Sequence, residues 1–268
     1  MAPVIIYGVY MPNYLAISPK ECEGLAWLPP QDVHFAAHNA LVPLHAGELA
    51  KAASAMPLAL VKEGREWKLV GVASLQPNHN LFIKDGKWLG QYRPQSLATW
   101  PFSVVNVGEK GVVTFDRDSG LLADDLNTPG AEPFFDNHGS PSHSLQAVLD
   151  VLKANPGKHR ATQKALAALD TAQLIVPWPE HLLASLGMRI PGLHMVDETA
   201  LAKLDDQAFL NLRSAQALPL AYALNLSLQQ AHLLSRLARL NPGTAAVPED
   251  LDTVFGNDDD EFTFDFDS

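Results

Sequence analysis

Apolar and polar positions along the chain change their period once, near residue 116. Before that point short apolar runs alternate with turn residues. Leu58 and Leu60, then Trp67, Leu69, Val70 and Val72, flank the polar stretch Lys62-Glu63-Gly64-Arg65, which is the pattern of a hairpin. Leu81, Phe82 and Ile83 favour strand, and Asp85-Gly86 supplies the positive φ angles of a tight turn, so the chain is expected to return through Trp88. Residues 103–107 and 112–115 flank Gly108-Glu109-Lys110-Gly111 in a third hairpin. Together these predict an antiparallel sheet of roughly five to seven strands. Between the second and third hairpins, Tyr92-Arg93-Pro94 leads into a helical turn over 95–99, closed by Trp100-Pro101-Phe102, because each proline biases the preceding residue away from helix. A short helix is expected over 46–55.

After Asp116 the texture differs. Residues 121–136 are acidic and irregular, with Asn127-Thr128-Pro129-Gly130 as a loop signal. From Ser142 the period is helical: Leu145, Val148, Leu149 and Leu152 share a face, and Asn155-Pro156-Gly157 is expected to end that helix. A second helix follows over 161–171. Asp197 caps a third through Leu204, and Asp205 a fourth through Ala215. Pro219 suits the first turn of a long fifth helix reaching Leu240, with Leu220, Leu224, Leu228, Leu234 and Leu237 buried, before Asn241-Pro242-Gly243. Strands first and helices later give an α+β class: a mainly antiparallel N-terminal sheet packed with a C-terminal group of helices. Residues 1–242 are read as a single unit, strand-rich over 1–116 and helix-rich over 140–240. Residues 243–268 are read as a disordered acidic tail.

Of the 268 residues, 47% are apolar, ample for a core. The net charge of −11 is uneven, because nine acids lie between Glu249 and Asp267 and no Lys or Arg follows Arg239. The remaining body is nearly neutral, which offers nucleic acid no concentrated Lys and Arg. Cys22 stands alone, so no intramolecular disulfide and no cysteine-rich metal site can form, in keeping with a reducing compartment. The opening MAPVIIYGVYMPNY has no basic residue and only short apolar runs, so neither a signal peptide nor membrane insertion is expected, and the cytoplasm is the expected setting. A homo-oligomer stays open.

The candidate chemistry is sparse. His34 and His38 are four residues apart and His45 is seven further on. A zinc protease would need a Glu after the first His, where Phe35 stands, so this cluster is left as a three-histidine metal site against ordinary structural histidines. Asp136, His138 and His143 form a second candidate, a two-His, one-carboxylate iron site, against simple loop anchoring by Asp and Ser side chains. No nucleophile elbow, phosphate loop or dinucleotide fingerprint occurs. Glu21 and Glu23 flank Cys22 and would raise its pKa, making it a poor nucleophile. No cofactor is called for. Trp88, Tyr92 and Trp100 could line a groove with Arg93 at its rim, although aromatics at this spacing more often fill a core. In the tail, Phe262, Phe264 and Phe266 alternate with Thr263 and Asp265, so an extended strand would carry all three rings on one face and could add to the sheet edge of a protein partner.

Three stretches carry a family resemblance: NLFIKDGKWLGQYRPQSLATWPF in the middle, GLHMVDETALAKLDDQAFLNLRSAQALPLAYALNLSLQQAHLL later, and HNALVPLHAGELAKAASAMPLAL near the start. Together they resemble the SapC family, bacterial proteins of about this length named after a member encoded with a surface-layer system. The chain departs from that pattern at Gln95-Ser96-Leu97-Ala98, where basic residues are common. The resemblance assigns no activity to particular residues. The resemblance implies an envelope- or surface-layer-related context; with the absence of an organised catalytic constellation and the acidic-aromatic tail, the leading reading is a non-catalytic cytoplasmic accessory or binding protein of such a system, docking partners through the tail. The alternatives are a metal-dependent enzyme, with non-haem iron or zinc at either His cluster, and a surface-layer component.

Overall fold

The computed structural model describes residues 13–107 and 110–241. The strands are β1 (Tyr14–Ala16), β2 (Ala26–Trp27), β3 (Leu41–Pro43), β4 (Leu58–Glu63), β5 (Glu66–Val72), β6 (Ile83–Lys84), β7 (Lys87–Trp88), β8 (Phe102–Val107), β9 (Lys110–Asp116), β10 (Leu122–Ala123), β11 (Glu132–Pro133), β12 (Ile175–Pro177) and β13 (His194–Val196). The helices are α1 (Leu49–Ala53), α2 (Gln95–Ala98), α3 (His143–Thr171), α4 (Glu180–Leu186), α5 (Glu198–Leu201), α6 (Asp206–Ser214), α7 (Ala217–Ser227) and α8 (Ala231–Leu240). The α+β class holds, with strands concentrated early and helices late.

The three hairpins form where turn chemistry placed them. Gly64 has φ +60°, and Asp85 and Gly86 have φ +50° and +74°, the pair of left-handed residues that a two-residue turn between right-twisted strands requires. Strands β8 and β9 pair from Phe102↔Phe115 to Val107↔Lys110, so β9 begins inside the expected four-residue turn. Gly108 and Glu109 of that turn lie outside the described residues. So does the tail over 243–268, with Phe262, Phe264 and Phe266.

The strands do not make one sheet. They form four antiparallel ones: a five-stranded sheet ordered β12-β13-β4-β5-β3, two three-stranded sheets ordered β1-β9-β8 and β10-β2-β11, and the hairpin β6-β7. The largest takes β12 and β13 from the helical half. Strands of three residues are too short to show a period of two, which is why they escape a pattern reading.

The helix expected to stop at Asn155 does not. Helix α3 runs unbroken for 29 residues with Pro156 inside it, roughly 43 Å long. An interior proline costs about 3 kcal/mol in lost hydrogen bonding and steric conflict. Burial at both ends outweighs it. Leu145 and Leu152 sit in a compact cluster with Leu15, Cys22, Trp27, Phe102, Phe115 and Phe134, while Ala165, Leu166 and Leu169 sit in the larger core built on β4, β5 and the C-terminal helices. Trp67 Nε1 donates to Asp170 Oδ1 at 2.7 Å and fixes the far end to β5.

The long fifth helix is also altered, in the opposite sense. A 3-10 turn over Leu228–Gln230 separates α7 from α8. At that break the buried Ser227 hydroxyl donates to Leu224 O at 2.6 Å and accepts from Leu58 N at 2.9 Å, so the helix end also satisfies the first amide of β4. The expected inward residues are on the correct face: Leu220, Leu224, Leu234 and Leu237 are buried, and Leu228 packs partly exposed against the same core. The Asp caps form as expected, with Asp197 accepting from Ala200 N at 2.9 Å and Asp205 from Ala208 N at 2.7 Å. No helix among the described residues is long and apolar enough to cross a membrane.

Candidate functional site

A densely bonded polar group among the described residues centres on Glu48, which is only 5% exposed. It lies in a 3-10 turn, Ala46–Glu48, that leads directly into α1. Its carboxylate reaches back to accept the amide of His45 on Oε2 at 3.1 Å, which is half of a capping box. The same Oε2 faces His45 Nε2 at 3.2 Å. The other oxygen, Oε1, accepts the Tyr92 hydroxyl at 2.5 Å and the Gln95 amide at 2.7 Å.

A second tier surrounds it. His45 Nε2 is 2.6 Å from Gln95 Oε1, and Lys158 Nζ donates to that same oxygen at 3.1 Å. Because both neighbours of Nε2 are acceptors, Nε2 carries a hydrogen. The amide of Ala46 donates to Thr162 Oγ1 at 2.8 Å, and Thr162 donates to Lys158 O at 2.7 Å. The turn before α1 and the stretch before α2 therefore meet at one carboxylate, and the middle of α3 joins them through Gln95 and the Ala46 amide. Burial, together with the hydrogen bond to Glu48 and its charge, holds the Tyr92 phenol well above the usual phenol range. Each oxygen of Glu48 receives two internal donors, so the group is built to hold three segments together.

The central hairpin packs on this group from outside. Trp88 is half-buried, stacks on Phe82 with centroids 5.0 Å apart, and donates from Nε1 to Tyr92 O at 2.9 Å. Gly90 leaves that indole its place: a Cβ there would lie 2.8 Å from Trp88 Nε1 and 3.0 Å from the Phe82 ring. Trp100 goes elsewhere and stacks face to face on Phe35 at 3.9 Å. Arg93 is exposed. The structure thus joins Trp88 to Tyr92 and gives Trp100 a separate partner. A cavity of about 260 Å³ between β3, β5 and α3 is lined by Leu44, Lys68, Leu69, His159 and Gln163 among others, and by none of those four residues.

The histidines are likewise dispersed. The His34 amide donates to Asp32 Oδ1 at 3.0 Å, and the His34 ring lies beside Gly86. His38 Nδ1 donates to Asn78 O at 3.1 Å, and His45 belongs to the Glu48 group. In the second set, Asp136 Oδ1 accepts from the amides of Ser140 at 2.8 Å and His138 at 2.9 Å, and these bonds hold its carboxyl below the usual range. Ser142 caps α3 by accepting from Leu145 N at 3.3 Å, and His143 is the exposed first residue of that helix. Among the described residues no three His, Cys, Asp or Glu side chains are grouped so as to hold a metal ion. The Cys22 thiol is pushed up as expected, by burial first and by Glu21 only secondarily.

Glu48 was not singled out by the sequence reading. A signal was present, namely a Glu three residues after His45 at the start of a short helix, the spacing of a capping box.

No curated protein and no solved structure matches the chain. The SapC family model matches residues 17–234, a span that includes the whole Glu48 group and the central hairpin. On that match over most of its length, the chain belongs to the SapC family.

Proposed function

We propose that the protein is a non-catalytic accessory protein of a bacterial envelope-related system, working in the cytoplasm and docking a protein partner through the acidic-aromatic segment that follows Asn241. The observation that carries this reading is the commitment of Glu48. A general base or a metal ligand needs a lone pair open to its target, whereas both oxygens of this carboxylate are engaged by Tyr92, Gln95 and His45. This polar group, inside the family-matched region, thereby serves to fix the fold, and recognition is left to the surface and the tail. The buried, unpaired thiol of Cys22 accords with a reducing compartment.

The test is recovery of one identified partner from the native host by the intact chain and by the Phe262→Ser/Phe264→Ser/Phe266→Ser variant, at low and high salt. The reading expects binding that weakens with salt and is lost in the triple variant. Equal recovery by both proteins overturns the tail as the docking element.

A further inference from the structure

The described chain ends against its own central hairpin. Lys84 Nζ donates to Leu240 O at 3.1 Å, and Asn241 Nδ2 donates to Leu81 O at 3.4 Å. Asn241, the last described residue, therefore lies beside the hairpin β6-β7. Lys84 and Lys87 are cross-strand partners there and both are exposed. On α8, Arg236 and Arg239 are exposed near the same end. Two large apolar side chains also face solvent here, Leu89 directly after β7 at 41% and Leu240 at the end of α8 at 55%. The acids on these elements and against the turn are Asp85, at the hairpin tip, and Asp32, which already accepts the His34 amide. The hairpin and the end of α8 thus expose four cations and two large apolar side chains, on a chain of net charge −11.

The residues after Asn241 have the complementary chemistry. Residues 242–268 carry nine acids and no Lys or Arg, with Asp258-Asp259-Asp260-Glu261 followed directly by Phe262, Phe264 and Phe266. The 17-residue separation between Asn241 and Asp258 spans up to about 55–60 Å when extended, far more than a return to the hairpin requires. A tether of that length holds the segment at an effective concentration of order mM, so a weak contact suffices.

We propose that residues 258–267 dock on this chain's own surface formed by β6, β7 and the end of α8, their acids against Lys84, Lys87, Arg236 and Arg239 and their rings against Leu89 and Leu240. This rests on the reading that the tail is the docking segment. It adds that the tail is self-occupied at rest, and that a partner must displace it.

Zero-length carbodiimide cross-linking of the full chain, read by peptide mass spectrometry, tests this with an equal mixture of isotopically light and heavy protein. The expected result is Lys84 or Lys87 joined to a carboxylate within 258–261, within one chain and independent of dilution. The link falls several-fold in the triple Phe→Ser variant and in about 1 M salt, where screening shortens to about 3 Å. Links spread evenly over exposed lysines such as Lys20, Lys51 and Lys153, or no tail links at all, overturn the proposal. Links mainly between light and heavy chains also overturn it, in favour of a second copy as occupant. Loss of an external partner in the triple variant without any self-link removes this inference and leaves the proposed function standing.

Discussion

The hydroxyl of Tyr92 donates to Glu48 Oε1 at 2.5 Å across 44 residues of sequence. The same oxygen accepts the first amide of α2, so one carboxylate fixes both the exit of the central hairpin and the start of the helix after it. Glu48→Gln keeps the shape but turns an amide donor toward two of the four donors. Hydrogen bonds to a charged group contribute about 1.5–3 kcal/mol each, and a loss of about 2–3 kcal/mol is expected. Urea unfolding with an unchanged m-value would report it; an unmoved midpoint would mean that water replaces the carboxylate without cost.

Tyr92 also sets a pH dependence. Its folded pKa is raised above the unfolded value of about 10, so the folded state holds the proton more tightly. Its contribution is complete below pH about 10 and is lost as pH rises from there toward the folded pKa. Stability measured by denaturant at successive pH values should fall on the alkaline side, and Tyr92→Phe should flatten that fall. An identical alkaline limb in the variant would assign it to other groups.

The hairpin can be tested at two positions. Gly86→Val places a β-branched residue at φ +74°, with a Cβ 3.0 Å from Asp32 and His34, and should cost about 1–2 kcal/mol or more. Trp88→Ala removes a ring stacked on Phe82, and about 3 kcal/mol is expected, the lower end for a buried Trp because Trp88 is half-buried. A Trp88→Ala protein with unchanged melting temperature would place the indole outside the packed structure.

Helix α3 yields a fourth prediction. Replacing Pro156 by Ala restores a backbone donor at an exposed interior position, and a gain of about 1–2 kcal/mol is expected. Leu145→Ala and Leu169→Ala lie in different clusters, yet each should lower a single unfolding midpoint, by about 2–5 kcal/mol. Two separate transitions, each moved by only one substitution, would contradict this.

What could be read from the chain was local. The Asp85-Gly86 turn, the Asp197 and Asp205 caps and the inward leucines of α7 and α8 depend on neighbours within a few residues, and each formed as its residue types require. What could not be read depends on distant partners. Asn155-Pro156-Gly157 carries an unambiguous stop signal, overridden because Leu152 and Leu166 are buried in different cores. Ser227 marks the break between α7 and α8 only through its bond to Leu58, 169 residues away. Glu48 shows only the local spacing of a cap until Tyr92 and Gln95 are brought to it. Whether Trp88 and Trp100 stand together, as a shared groove would need, or pack apart depends on distant partners in the same way, since Phe35 stacks on the second indole.

The span of α3 between its two anchors also acts as a gauge of length. Inserting one residue between Leu152 and Ala165 would rotate one half relative to the other by about 100° and shift it by about 1.5 Å. Leu166 and Leu169 would then leave their core, and Thr162 would leave the amide of Ala46. Even a two-turn insertion restores the angle but misplaces the far end by about 10 Å. Changes of chain length are thus confined to surface loops such as 124–131, and the number of residues from Leu145 to Leu169 is fixed as strictly as any side chain in the molecule.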